Sequence, residues 1–212
     1  MSTILKNDGP PYEDDCFSAW CRAVRSRINA SADADTREVR SLLGLTTPLP
    51  PPRPHVLYLS AAGGFSGSEQ SLLQTLASLD EQRFQKSAVI SRPGVFADRM
   101  RAVGVETTCC GEEFWSSNYE SLACAARLLC HIRPDILHIN SYAGPGIVFA
   151  AHLLGIPIVQ HVRIATPIDL ADQVQHAAAV IAVSRFVAGR LFDFGVPQDR
   201  VHCIYNPVDI MY

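Results

Sequence analysis

A segment rich in glycine and serine, GGFSGSEQSLL at residues 63–73, separates an apolar β-prone run from an amphipathic stretch. Glycines let a backbone approach a ligand closely, and the N-terminus of a following helix offers free N–H groups and the positive end of a dipole. Gly64, Gly67 and Ser68 are therefore candidates for binding a diphosphate or a sugar. The alternative is an ordinary strand-to-helix turn, with Ser68 as the helix cap and Glu69 in the first helical turn.

The established nucleotide-binding motifs do not fit this segment. No lysine follows Gly67, as the GxxxxGK[ST] motif of phosphate-binding loops would require. Gly64 and Gly67 supply only a fragment of GxGxxG, which disfavours a nucleotide-binding oxidoreductase. Spacing alone leaves both the ligand loop and the simple turn open.

A histidine ends the apolar run in IPIVQHVR, and we take this residue, His161, as the candidate catalytic residue. At the carboxyl end of a strand it would face a ligand crevice, where it could donate a hydrogen bond to a sugar hydroxyl or take part in proton transfer. A partly buried structural histidine is the alternative. Arg163, two residues further on, could face an anion such as phosphate or form a surface salt bridge. His138 alternates within its own run and is predicted to be structural.

Other polar residues follow the ends of predicted strands and are candidates for lining a pocket, namely Asn140, Ser141 and Ser184. Two acidic patterns resemble motifs of sugar transferases. Asp33-Ala34-Asp35 lies in the polar segment before the proline-rich linker and does not follow a strand, and the pair Glu112 and Glu120 lies in a polar loop after the third predicted strand, where two glutamates match such a motif by chance. We therefore expect no bound metal and no other cofactor.

Composition limits the class of protein. The 212 residues are 48% hydrophobic and 18% charged, with a net charge of −3, so the chain is globular and carries no general basic field for nucleic acid. The N-terminus lacks the basic start and apolar run of a signal peptide. The uncharged stretch between Asp135 and Arg163 is interrupted by glycines and prolines, so it predicts a buried strand–helix–strand unit. We expect a cytoplasmic protein, with peripheral attachment at the inner face of the membrane left open.

The chain divides into three parts. Residues 1–45 form a partly helical extension, residues 46–54 a proline-rich linker, and residues 55–212 a domain in which short apolar runs alternate with longer amphipathic ones. This alternation predicts an α/β fold, a single Rossmann-like, doubly wound and mostly parallel sheet. The predicted strands are 55–60, 87–91, 105–109, 136–140, 157–161, 179–183 and 201–205. The predicted helices are 69–79, 95–103, 119–132, 144–154, 170–176 and 184–194.

The last part of the chain, AAAVIAVSRFVAGRLFDFGVPQDRVHCIYNPVD, resembles the closing section of the N-terminal domain of GT-B glycosyltransferases of family 4. Three earlier segments are similar to other parts of that domain, in the same order: GGFSGSEQSLLQTLASL, RPDILHINS and IPIVQHVR. The last of these is similar to the strand that carries the family's active-site histidine. The resemblance extends over residues 55–209.

This resemblance implies transfer of a sugar from a nucleotide-sugar donor, with retention of configuration and without metal. The acceptor would be a carbohydrate, a lipid-linked molecule or another compound. Gly64 and Gly67 would line the diphosphate side of the cleft, and His161 would contact the transferred sugar. The family's second domain carries most nucleotide contacts, so we expect a separate C-terminal domain as partner and little or no transferase activity from residues 1–212 alone. The alternative is a non-catalytic Rossmann-like module that binds carbohydrate or protein.

Overall fold

The computed structural model of the protein describes residues 53–61, 64–164 and 171–207; the predicted extension at 1–45 and nearly all of the linker lie outside these ranges. Seven strands form one sheet in the described residues. They are β1 (His55–Ser60), β2 (Gln85–Ile90), β3 (Glu106–Cys109), β4 (Ile136–Asn140), β5 (Ile158–Val162), β6 (Ala179–Ala182) and β7 (Val201–Cys203).

Helices connect the strands, as the sequence predicts. They are α1 (Gly67–Ser78), α2 (Val95–Ala102), α3 (Glu112–Trp115), α4 (Tyr119–Ile132), α5 (Pro145–Leu154), α6 (Ala171–Gln175) and α7 (Arg185–Asp193), with a 3-10 turn at Gln198–Arg200. The short helix α3 is the one that the sequence did not predict. The strand predicted at 201–205 ends earlier, because the chain leaves the edge of the sheet after Ile204 donates a last hydrogen bond to Ala182.

The strand order is β3-β2-β1-β4-β5-β6-β7, and every adjacent pair is parallel. This confirms the predicted doubly wound Rossmann-like fold. The chain builds outward from β1 to β3 and then returns to place β4 on the other side of β1. In such sheets ligands bind beyond the carboxyl ends of the strands where the order reverses. The crevice is therefore expected above β1 and β4.

Alternate residues of each strand enter two different apolar layers, as period-2 geometry requires. Leu57 and Leu59 belong to one layer, which includes residues of α4, α5 and α7, while Val56 and Tyr58 belong to the other, which includes residues of α1 and α2. Helices thus cover both faces of the sheet and bury its apolar strands, which is the main stabilising contribution to the fold.

The uncharged stretch forms β4, α5 and β5, which confirms the predicted buried unit. Among the described residues, no helix combines the length and apolar character that crossing a membrane requires. Glycines end three helices, as predicted: Gly104, Gly155 and Gly195 all have positive φ angles, of 78°, 65° and 80°.

Candidate functional site

Three neighbouring strands end together at the reversal point of the sheet. Asn140 of β4 pairs in register with His161 of β5, and Ser60 ends β1 one position beyond the pair Leu59 and Ile139. Because the strands are parallel, their final side chains meet at one edge. The side chains of Ser60, Asn140 and His161 are at most 9% exposed. Asn140 ends β4 as the sequence predicts, whereas β5 continues one residue beyond His161, to Val162.

The N-terminus of α1 is capped by Ser66, so the prediction that Ser68 is the cap was wrong. The helix begins at Gly67, and Ser66 and Glu69 form a capping box in which the Ser66 N–H donates to Glu69 Oε2 at 3.0 Å. A serine followed three residues later by a glutamate is the usual signature of such a box. That signature was present in the sequence, and it gives Glu69 a structural role in addition to its charge.

Glu69 is the acidic centre of this region, with a residue exposure of only 1%. Its carboxylate accepts hydrogen bonds from the hydroxyls of Ser66, from Ser68 at 2.7 Å and, more weakly, from Ser60 at 3.4 Å. Burial by itself raises the pKa of Glu69, but the hydrogen bonds from Ser66 and Ser68 together outweigh it and lower the pKa. The carboxylate is therefore ionised at neutral pH.

Arg163 lies at the centre of the polar contacts at this edge. Its Nε donates to Asn140 Oδ1 at 2.8 Å, its Nη1 donates to Asn206 Oδ1 at 2.8 Å, and its Nη2 lies 3.4 Å from His161 Nδ1. Burial lowers the pKa of Arg163 to about 10, and attraction to Glu69 opposes that shift. The guanidinium thus keeps its charge at neutral pH and is placed to meet an anion.

These hydrogen bonds form a closed ring that starts and ends in α1. Glu69 accepts from Ser60, whose hydroxyl accepts from Asn140 Nδ2 at 3.5 Å, and Asn140 in turn accepts from Arg163. Asn206, in the NPVD segment after β7, accepts from Arg163 and from Ser71 of α1 at 3.1 Å. We define the polar ring as Ser60, Glu69, Ser71, Asn140, Arg163 and Asn206. Sequence analysis identified Asn140 and Arg163 of this ring but gave no site role to its other members.

His161 is neutral in this structure. Burial first, then the positive charge of Arg163 and the proximity of His138, lower its pKa to about 3. Because a guanidinium can only donate, His161 Nδ1 must accept from Arg163, which assigns the proton of the neutral ring to Nε2. The buried Nε2 has no hydrogen-bond partner among the described residues. It is therefore a donor without an acceptor, and such a group is costly to bury.

The ring of His161 packs against the ring of His138, which in turn packs against the ring of Tyr58. The His138 ring meets that of His161 edge-on, with centroids 5.6 Å apart, and Tyr58 packs on His138 at 4.9 Å. Burial, followed by the charge of Arg163, lowers the pKa of His138 to about 4. The rings of His138 and Tyr58 thus place uncharged groups next to His161 at neutral pH, which is consistent with a structural role for His138.

Ser141, a predicted pocket residue, has left-handed backbone geometry with φ of 74°. This conformation is unusual for a residue other than glycine and costs of order 1 kcal/mol or more. Ser141 is held by Gln160, whose Nε2 donates to its carbonyl at 2.7 Å, and by its own N–H, which donates to the carbonyl of His161 at 3.1 Å. Backbone strain of this kind clusters at functional sites, so its place beside His161 is informative.

The structure does not bring the remaining predicted residues into the polar ring. Ser184 caps α7, where its hydroxyl accepts from the Val187 N–H at 3.2 Å. Glu112 and Glu120 are exposed residues at the beginnings of α3 and α4. Asp33 and Asp35 lie outside the described residues.

The predicted glycine loop lies directly beside the ring and has free space around it. A Cβ atom built on Gly64 or Gly67 would meet no atom of the described residues within 4 Å. Phe65, between them, packs against Phe96 and carries the guanidinium of Arg99 4.4 Å above its ring. The loop is thus anchored by one aromatic side chain while its glycines border open space, where a ligand could approach the backbone.

Comparisons with solved structures find the same fold. HepE of Anabaena, in a complex with UDP and glucose, superposes with a TM-score of 0.59 at 19% identity, and the match covers 74% of this chain and 45% of that one. A glycosyltransferase of Rickettsia africae gives a TM-score of 0.55 at 14% identity, covering 72% and 43% of the two chains. The UDP-GlcNAc 2-epimerase of Neisseria meningitidis, bound to UDP-GlcNAc, gives 0.53 at 10%, covering 71% and 45%. The present chain therefore spans less than half of the length of these neighbours.

No sequence among the curated proteins matches this chain significantly. The model of Glycosyltransferase Family 4, however, matches residues 65–212, which include Gly67, the strand β5 that carries His161 and the NPVD segment. This match covers more than half of the chain, and the structural neighbours share its Rossmann-like GT-B architecture. The sequence resemblance is confirmed: the chain belongs to glycosyltransferase family 4 and has the fold of an N-terminal domain of that family.

Proposed function

We propose that this chain forms the acceptor-side half of a glycosyltransferase that moves a hexose from a nucleotide-sugar donor to a carbohydrate, lipid-linked or other acceptor. We further propose that the reaction retains the configuration of the sugar and needs no metal. The observation that carries the proposal is the convergence of the polar ring and His161 beside an open glycine loop, at the reversal point of the sheet. Ligands of doubly wound sheets bind at that point.

The loop is proposed to face the diphosphate of the donor. Among the described residues, the space where a Cβ of Gly64 or Gly67 would lie is open, which leaves room for a phosphate beside their backbone. Arg163 is charged and held a short distance away by Asn140. HepE, a neighbour in fold, was crystallised with UDP and glucose, which supports a donor of the same class here.

His161 is proposed to contact the transferred sugar as a hydrogen-bond donor. Its pKa of about 3 makes it a poor proton acceptor at neutral pH, which favours this role over proton transfer. The Nε2–H has no partner among the described residues, and a sugar hydroxyl would satisfy it. Ser141 is proposed to shape the adjacent wall of the pocket.

The polar ring alone does not supply the charge that the reaction demands. It contains one cation, Arg163, and one carboxylate, Glu69, so its members together carry no net charge. A diphosphate leaving group needs stabilisation of its developing negative charge. We therefore propose that a C-terminal domain provides the missing cations, and that residues 1–212 by themselves turn over little donor. A cytoplasmic location suits the five free cysteines among the described residues.

The experiment is an NMR titration of the full chain with UDP-glucose, UDP and UMP, followed by amide chemical shifts. We expect the largest shifts at residues 64–69, 140–141 and 161–163, and weaker binding of UMP because it lacks the second phosphate. His161→Ala should weaken UDP-glucose more than UDP, since only the former carries the sugar. The matched control is His131→Ala, which removes an exposed histidine in the last turn of α4, the helix that precedes β4.

Chemical-shift changes that lie away from residues 64–69, 140–141 and 161–163 would contradict the proposed site. Equal effects of His161→Ala and His131→Ala on UDP-glucose affinity would also contradict it. A transfer assay then follows, in which the chain is combined with a family 4 C-terminal domain and a panel of nucleotide sugars. Absence of transfer and of donor hydrolysis in every combination would favour the alternative of a non-catalytic binding module.

A further inference from the structure

Arg163 is oriented by acceptors that carry no charge. Its three described partners are the carboxamide oxygens of Asn140 and Asn206 and the neutral ring nitrogen of His161. Glu69 influences Arg163 electrostatically, and no hydrogen bond joins the two side chains among the described residues. Counting these described contacts, one N–H remains on Nη1 and one on Nη2. The guanidinium is therefore held in a fixed direction while no carboxylate of the described residues pairs with it directly.

Asn206 occupies a special position among these acceptors. Its Oδ1 accepts from Arg163 Nη1 at 2.8 Å and from Ser71 Oγ at 3.1 Å, joining three segments that are far apart in the sequence. The orientation of this amide is unambiguous, because the atom that faces a guanidinium must be the oxygen. Asn206 is also exposed, so burial does not explain why an uncharged residue stands there.

We propose that Asn206 is a positioning residue, which acts through Arg163 by aiming the guanidinium at an anionic oxygen of a diphosphate without neutralising it. An aspartate would fit the same space and accept the same two hydrogen bonds, but its charge would cancel that of Arg163. The neutral amide thus orients the guanidinium of Arg163 and leaves the positive charge of that group to interact with the ligand. The inference rests on the proposed function for the identity of the anion, whereas the positioning itself requires only that a diphosphate binds.

Two substitutions separate positioning from a purely structural role. Asn206→Asp keeps both hydrogen bonds and adds an ion pair, so the Tm should equal or exceed that of the wild type, while affinity for inorganic pyrophosphate should fall about tenfold. Asn206→Ala removes both bonds, so the Tm should fall by about 2 °C and the affinity about threefold. If Asn206 served only stability, Asn206→Asp would instead match the wild type in both Tm and pyrophosphate affinity.

The experiment uses the full chain, with calorimetric titration of inorganic pyrophosphate at constant ionic strength and a thermal melt of each variant. The control is Gln198→Glu, which adds the same charge in the exposed 3-10 turn that precedes β7, whereas Asn206 follows that strand. The expected order of affinity is wild type and Gln198→Glu together, then Asn206→Ala, then Asn206→Asp. The inference is overturned if Asn206→Asp binds pyrophosphate as tightly as the wild type, or if the wild type does not bind it.

The outcome can be separated from that of the proposed function. If the pyrophosphate order holds but UDP-glucose causes no shifts at residues 161–163, the positioning role stands and the donor assignment fails. If UDP-glucose binds as proposed but Asn206→Asp leaves pyrophosphate affinity unchanged, the donor assignment stands and the positioning role fails.

Discussion

The strand-to-helix junctions after β4 and after β1 both contain glycine, and glycine has opposite roles in them. We call each junction a turn and include in it the first residues of the following helix. After β4, a Cβ on Gly146 would lie 2.7 Å from Ser121 Oγ and 2.8 Å from the Leu122 backbone nitrogen, because α5 packs closely on α4. After β1, a Cβ on Gly64 or Gly67 would lie more than 4 Å from every atom in the part of the chain that the structure describes. In the first turn another part of the protein fills the space beside glycine, whereas in the second turn that space is empty. Only the second has room for a ligand.

The largest effect is expected in the packed turn. Gly146→Ala places a methyl group against backbone that cannot move aside, and overpacking of this kind should lower the free energy of unfolding by about 2 kcal/mol, or the Tm by about 6 °C. The control is Gly189→Ala in α7, where a Cβ meets nothing within 4 Å and the better helix propensity should raise stability by about 0.5 kcal/mol. Thermal melts of both variants measure the difference. Equal melting temperatures would show that the close contacts around Gly146 do not make it less tolerant of a methyl group than Gly189.

The part of the molecule that contains the polar ring should lose stability as the pH falls, whereas the turn that contains Gly146 should not. The pKa of His138 is about 4 in the folded protein, against an ordinary value of 6.5. The unfolded chain therefore binds a proton first as the pH falls, so the contribution of His138 is complete above pH 6.5 and is lost toward pH 4. Glu69, whose pKa is also lowered, acts in the same direction at lower pH.

His138→Phe keeps a ring between Tyr58 and His161 but cannot titrate. We expect its stability to fall by about 2 kcal/mol less than that of the wild type between pH 6.5 and pH 4. Urea unfolding at a series of pH values measures this. Gly146→Ala, in contrast, should shift stability by the same amount at every pH, and a pH-dependent shift in that variant would show that the two regions are coupled.

The fold was predictable because its signals are local and repeated. Apolar runs such as 136–140 and 157–161 alternate with amphipathic segments, and that alternation is enough to specify a parallel sheet with helices on both faces. One error occurred where a local rule was applied two positions away from where the chain uses it. Ser68 was predicted to cap α1, but Ser66 does so, since its spacing to Glu69 completes a capping box.

The site was predictable only in part. Asn140, His161 and Arg163 were identified because they follow strand ends, which parallel topology brings to one edge. Ser71 and Asn206 were not, because their hydrogen bonds to the ring depend on tertiary contacts across 135 residues that no local pattern encodes. The sequence likewise could not distinguish a glycine that admits a neighbouring helix from one that leaves space for a ligand.

The smallest effect on stability, and the sharpest test of the comparison, is expected at the open loop. Gly67→Ala adds a methyl group to empty space at a position without left-handed backbone, so the free energy of unfolding should change by no more than about 0.5 kcal/mol. If that space receives the diphosphate, the same methyl group should weaken UDP binding about tenfold, as measured by calorimetric titration. Gly146→Ala should show the reverse, a large loss of stability with unchanged UDP affinity at a temperature where it is folded. Unchanged UDP affinity in Gly67→Ala would leave the loop as a simple turn, and the diphosphate would then have to bind elsewhere along the edge near Arg163.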